Sequence, residues 1–292
     1  MSGAEPPARR SPRFPIGLDR LQPRAAGAVA GPPSAADATL RPQRPLHEAH
    51  AAARDVQRHG AASGIGLDSA AVRARMVQRL SAAGLRCEPV VAALAAVPRH
   101  VFVDSALAAQ AYEDTSLPIG LGQTISKPSV VARMLALLFE SEGARARGSL
   151  GRVLEIGTGC GYQTALLAHL ATRVVSIERL QALHDKARVH LAHLAQLPFP
   201  AERGAELRLL HGDGRLGHPP AAPFDAIVAA AGGEELPTAW LDQLAVGGRL
   251  VAPIFDAASG GQALLAVDRH AAGYTRRIHE GVHFVPLKSG VG

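Results

Sequence analysis

Apolar residues in the second half of the chain fall into short runs separated by stretches with helical spacing. The runs at 152–156, 173–178, 206–210, 224–230 and 248–254 are mostly apolar and strand-like, as strands covered on both faces are. Helical stretches near 161–171, 180–196 and 237–245 lie between them. That alternation predicts a parallel sheet with helices on both faces. Two more runs, 262–268 and 276–286, follow without an intervening helix and predict an antiparallel pair at one edge. The sum is an α/β fold with a doubly wound, mostly parallel seven-stranded sheet. Upstream, Asp68 reads as an N-cap, Val72, Met76 and Leu80 repeat at helical spacing, and Gly84 ends the helix. Pro89 suits the first turn of a second helix through Ala96, and Pro98 breaks it before Val101. Pro128 starts a further helix over 128–140.

The first 60 residues lack this patterning. They hold nine of the 21 prolines, and nine arginines against five acids, which places +4 of the net +6 charge there. The pattern predicts a disordered extension over 1–65, followed by one catalytic domain over 66–292. A short helix could form around 46–58, with no function attached to it. Because the basic excess sits in this proline-rich part, the folded part is expected to bind no nucleic acid. Arg9-Arg10 resembles the start of a twin-arginine export signal, but Pro12, Pro15, Asp19 and Arg20 follow where an apolar segment should be. No apolar run approaches the roughly 18 residues of a membrane span. Cys87 and Cys160 are far apart and form no zinc-binding pattern. A cytoplasmic monomer without metal or membrane partner is the expectation.

The candidate chemistry starts at VLEIGTGCG, residues 153–161, a strand running into a glycine loop. Gly157, Gly159 and Gly161 are spaced G-x-G-x-G, not the G-x-G-x-x-G of dinucleotide folds. By itself such a loop can be a structural turn. Its neighbours add meaning. Glu155 precedes the loop by two residues, where a carboxylate would repel a pyrophosphate but suits a ligand carrying an ammonium and a sulfonium. Glu178 closes the next strand, 21 residues after Gly157, where an acid can accept two ribose hydroxyls. Asp213 in HGDGR follows the third strand and can accept from an adenine amine. Acids at the carboxyl ends of consecutive strands sit where open parallel sheets bind ligands. S-adenosylmethionine is the cofactor this set predicts.

Upstream lies LPIGLGQTISKP, residues 117–128, which reads as a flexible loop at Gly120 and Gly122 followed by polar groups on Gln123, Thr124 and Ser126. This segment resembles the protein-L-isoaspartate O-methyltransferase family. So do VPRHVFV (97–103), the glycine block extended to Ala168, HGDGR (211–215), PFDAIVAAA (223–231), LDQLAVGGRLVAPI (241–254) and FVPL (284–287), in the family's order. The resemblance covers about residues 68–288 and implies a class I methyltransferase fold, Rossmann-like. It implies methyl transfer from S-adenosylmethionine to the α-carboxylate of L-isoaspartyl residues in damaged proteins and peptides, whose repair then proceeds through a succinimide. It places the active-site serine at Ser126. It places cofactor contacts at Glu155, Gly157, Thr158, Gly159, Gly161, Glu178, Arg179, Asp213 and Gly214. Substrate contacts fall at Gln123, Thr124, Ile125, Ser126, Phe284, Val285 and Pro286. Ser129, Gly232-Gly233 and Lys288 depart from the family's pattern, as does the long N-terminal extension.

Other features take plainer readings. His190 and His193 form a surface pair at i, i+3, Cys160 is a small side chain at a turn, and Trp240 and Leu241 pack a helix on the sheet. The competing functions are a methyltransferase for RNA or a small molecule, an NAD-dependent oxidoreductase, and a non-enzymatic binding module.

Overall fold

The computed structural model describes residues 70–197 and 204–292. The predicted extension, the 46–58 helix and the Asp68 cap lie outside them. Helices α1 (Ala70–Ala82) and α2 (Glu88–Ala96) follow the predicted spacing, with Met76, Val77, Leu80, Val90 and Leu94 buried. Helix α3 (Pro128–Phe139) begins at its proline, whose missing N–H costs nothing in a first turn. A short α4 (Glu142–Arg147), capped by the Ser141 hydroxyl, has no counterpart in the hydrophobic pattern because only Ala144 is buried.

Seven strands then form one sheet in the order β5-β4-β3-β6-β7-β8-β9. They are β3 (Arg152–Ile156), β4 (Arg173–Glu178), β5 (Glu206–His211), β6 (Phe224–Ala229), β7 (Leu244–Asp256), β8 (Gly261–His270) and β9 (Gly273–Val282). The pairs from β5 to β7 are parallel, while β7, β8 and β9 pair antiparallel as expected. Helices α5 (Tyr162–Leu170) and α6 (Gln181–Leu194) provide the crossovers after β3 and β4. Helix α7 (Thr238–Gln243) is shorter than predicted, because the chain extends at Leu244. The Arg269 guanidinium donates to the carbonyls of Leu241, Asp242 and Leu244 at that point.

Strand side chains alternate between two cores. Val153, Val174, Ala226 and Val251 face the helices α1, α2, α3 and α5. Leu154, Val175, Ile227 and Leu250 face the other side with Trp240. The Trp240 indole N–H donates to the Gly214 carbonyl at 2.8 Å, which docks α7 at the carboxyl end of β5.

The segment 117–125, read as a loop, is instead a β-hairpin of β1 (Leu117–Gly120) and β2 (Gln123–Ile125). Gly120, Leu121 and Gly122 all take positive φ (99°, 54° and 69°) and make the reversal. Two glycines absorb most of that conformational cost, and Leu121 bears the rest.

Candidate active site

The glycine loop leaves β3 and turns into α5. Gly157, Gly159 and Gly161 have φ of 88°, 56° and 94°, backbone angles that other residues resist. A Cβ on Gly159 would come within 3.3 Å of Ile119 Cδ1, so the hairpin packs directly on the loop. Beneath hairpin and loop is a cavity of about 800 Å³, open on one side. Its wall unites segments distant in sequence: Gln123, Thr124, Ile125 and Ser126 from the hairpin, Gly157, Thr158 and Gly159 from the loop, Glu178 and Arg179 from the end of β4, Gly214, and Val285 with Pro286.

Glu178 is held for acceptance. One oxygen takes the Gly159 N–H at 2.8 Å and the other the Leu180 N–H at 3.0 Å. A carboxylate offers about four lone-pair directions, so two remain for the cavity. Asp213 is one residue back from the wall. Its oxygens accept the N–H groups of Arg215 at 2.9 Å and Gly290 at 2.6 Å. A Cβ on its neighbour Gly214 would lie 2.5 Å from Ile156, so that position has no room for a side chain.

Glu155 is not at the cavity wall. It has no exposed surface, and lies under the first turn of α5, where Thr164 Oγ1, Ser176 Oγ and Gln163 Nε2 donate to it at 2.5, 2.6 and 3.1 Å. Burial raises its pKa to about 7, against these three hydrogen bonds that lower it. Gly161 also lies behind the wall, where a Cβ would touch Ala187 and Leu191 of α6 at 3.4 Å. Phe284 is buried in the core that faces α1 to α3.

The 284–287 segment is fixed by its backbone. Gly232 exchanges hydrogen bonds with Val285 and Leu287 at 2.8 and 2.7 Å. The Gln262 amide clamps Phe284 from both sides, at 2.7 and 3.3 Å. A Cβ on Gly232 would lie 2.5 Å from that amide, which explains the glycine there. Ser129 also has a use: its N–H and hydroxyl both donate to Asp114, at 2.8 Å each. Lys288 joins the cavity wall.

Sequence reasoning missed several wall residues, including Leu121, Tyr162, Cys160, Leu180 and Gln181. The adjacency of Cys160 and Tyr162 to the glycines was a usable signal for them. Leu121 reads only as loop until the hairpin is built. His190 packs edge-on against Phe102 and hydrogen-bonds the Cys160 carbonyl at 2.9 Å, so it belongs to the packing behind the loop.

Comparison with known proteins decides the family. The model of the protein-L-isoaspartate(D-aspartate) O-methyltransferase family matches residues 71–292. The chain belongs to that family. A protein-L-isoaspartate O-methyltransferase of Methylibium petroleiphilum is 57% identical over 99% of both chains, so the first 69 residues also have a counterpart there. A namesake of Leptothrix cholodnii is 56% identical, with 99% of this chain and 98% of that one covered. Among solved structures, a protein-L-isoaspartate O-methyltransferase superimposes with a TM-score of 0.63 at 24% identity, over 75% of this chain and 67% of that one. A Plasmodium falciparum structure described as a protein of this family in complex with S-adenosyl-L-homocysteine gives 0.60 at 23%, over 73% of this chain and 97% of that one. Both confirm the class I methyltransferase fold. In this family member, no helix among the described residues is long and apolar enough to cross a membrane.

Proposed function

We propose that this methyltransferase acts on the α-carboxylate of L-isoaspartyl residues in damaged proteins and peptides, using S-adenosylmethionine and starting repair through a succinimide. The observation that carries the reading is the single cavity joining the Ser126 hairpin to the glycine loop and Glu178. The residues fit the cofactor. The glycines leave main chain exposed to a ligand, and Glu178 keeps acceptor capacity for the two hydroxyls of a ribose. Arg179 stands on the same rim with Asp213 one residue behind the wall, and Glu155 supports the loop from below. When bound, the cofactor supplies an electrophilic methyl on a sulfonium.

The chain's own work is positioning. An acceptor carboxylate with a pKa near 4 is already ionised at neutral pH, so no strong general base is required. What remains is to hold one oxygen in line with the methyl and to keep water away, which can supply several kcal/mol of the barrier reduction. Among the described residues the Ser126 hydroxyl has no protein partner, and it lines the cavity half-buried. It donates to the acceptor carboxylate, supported by main-chain N–H groups of 123–126 and by that of Val285. Gln123, Thr124 and Ile125 complete the acceptor side. A hydrogen bond to a charged group is worth about 1.5–3 kcal/mol, so Ser126→Ala should lower kcat/KM on an isoaspartyl peptide by roughly 10- to 100-fold. Retention of full kcat/KM would refute the role.

The enzyme acts in the cytoplasm as a monomer on this reading, with two free cysteines that suit a reducing compartment. The deciding experiment is transfer of labelled methyl to paired isoaspartyl and aspartyl peptides. Labelling of the isoaspartyl member alone is expected, and labelling of neither overturns the reading.

A further inference from the structure

Arg99, in the 3₁₀ turn Arg99–Phe102, has no exposed surface. Its Nε donates to the Ala111 carbonyl at 2.8 Å and its Nη2 to the Ser126 carbonyl at 2.7 Å. The guanidinium lies over the Tyr162 ring, 4.8 Å from the centroid. Nη1 and the Tyr162 hydroxyl are both buried without a hydrogen bond of ordinary geometry among the described residues. No carboxylate among the described residues reaches ion-pair distance of Arg99, and burial pulls its pKa below the usual arginine range. Arg249, also buried, is by contrast paired with Asp268 on two hydrogen bonds.

A buried cation without a counter-ion costs several kcal/mol, and packing alone would be served better by an apolar side chain. The position of Arg99 indicates what the charge is for. It touches the backbone of Ser126 on the acceptor side of the cavity and the ring of Tyr162, the first residue of the helix that leaves the glycine loop. Tyr162 lines the cavity as Ser126 does. One planar, rigid guanidinium therefore sets the spacing between the acceptor serine and the cofactor loop. It also leaves a positive charge behind the place where the acceptor's carboxylate is received.

We propose that Arg99 is the positioning residue of the acceptor half-site, acting through Ser126 to hold an anionic acceptor in line with the methyl donor. The inference rests on the isoaspartyl reading above. Lysine cannot reproduce it, since a point charge cannot bond two carbonyls in fixed fork geometry while stacking on a ring.

The test is a double-mutant cycle of Arg99→Lys and Ser126→Ala, with kcat and KM for an isoaspartyl peptide and the Kd for S-adenosylhomocysteine measured throughout. Arg99→Lys should lower kcat/KM by about tenfold or more while the Kd moves less than about threefold. On that background Ser126→Ala should cost far less than it costs in the wild-type protein. Additive losses, or equal losses in peptide kcat/KM and in S-adenosylhomocysteine affinity, overturn the proposal and leave Arg99 a structural residue. If Arg99→Lys does not fold, the Arg99 Nε–H signal of ¹⁵N-labelled wild-type protein is followed by NMR. A shift on adding isoaspartyl but not aspartyl peptide is expected, and no shift at saturating isoaspartyl peptide refutes it. Wild-type protein inactive on the isoaspartyl peptide would overturn the functional reading itself. An active wild type with an additive cycle overturns only the role of Arg99.

Discussion

Glu155 is the residue whose chemistry depends most on where the fold puts it. Its carboxyl is fully buried with a pKa raised from 4.5 to about 7, chiefly by desolvation. Between those values the folded protein keeps a proton that the unfolded chain has released, so raising the pH removes stability. The loss begins near pH 4.5, is complete above about 7, and amounts to roughly 3 kcal/mol at most. Glu155→Gln should flatten this dependence, making the variant's Tm gain on the wild type grow from pH 5 to pH 8. Parallel Tm curves for the two proteins would show that Glu155 does not titrate in this window. Two features of this residue differ in how readable they were. That an acid precedes the glycines is plain in the sequence. That it turns under α5 follows from strand parity: Val153 faces the same helices, and the parallel register sets Ser176 beside Glu155. Glu178 closes its strand at the cavity rim, with a chain position and a place in space that agree.

At the scale of elements, the hairpin β1–β2 is the piece most exposed to change. It pairs only with itself, and its tip residue Leu121 is 59% exposed while lining the cavity. One tether comes from the neighbouring layer: Lys186 Nζ on α6 donates to the Ile119 carbonyl at 3.1 Å. Such a bond is worth about 1 kcal/mol. Lys186→Met should lower kcat/KM for the isoaspartyl peptide by roughly fivefold, with little change in Tm, because Leu117, Ile119 and Ile125 still anchor the hairpin in the main core. A large fall in Tm with unchanged kcat/KM would assign Lys186 to stability instead. The hairpin was missed in the sequence because Gly120 and Gly122 flank one leucine, and each strand is too short to show alternation. The helices and the longer strands were legible since their periodicity extends over several turns or is bounded by proline and glycine.

On the scale of the whole molecule, a buried ion pair joins the antiparallel edge to the helical layer. Arg249 on β7 donates to both oxygens of Asp268 on β8, at 2.6 and 2.8 Å. It also donates to the Leu137 carbonyl of α3 at 2.8 Å and approaches Glu140 at 3.5 Å. Asp268→Ala leaves this guanidinium buried with one distant, half-exposed partner, and should destabilise the protein by about 3 kcal/mol in urea unfolding. A loss below about 1 kcal/mol would mean that Glu140 takes over the charge. The sequence by itself determined the alternation of strand and helix, the glycine spacing of the cofactor loop, the antiparallel edge and the family blocks around Ser126. Each of these is written in neighbours a few residues apart, where backbone sterics and burial period act directly. Only the tertiary structure decided that Glu155 lies beneath the loop, that 117–125 folds as a hairpin over the cavity, and that Arg99 grips Ser126. Those outcomes depend on which strand faces pair and which loops meet, as where Ser176 of the neighbouring strand meets Glu155, Arg99 meets Ser126, and Lys186 meets Ile119. A burial pattern states that a residue is inside, and the packing of whole layers chooses its neighbour.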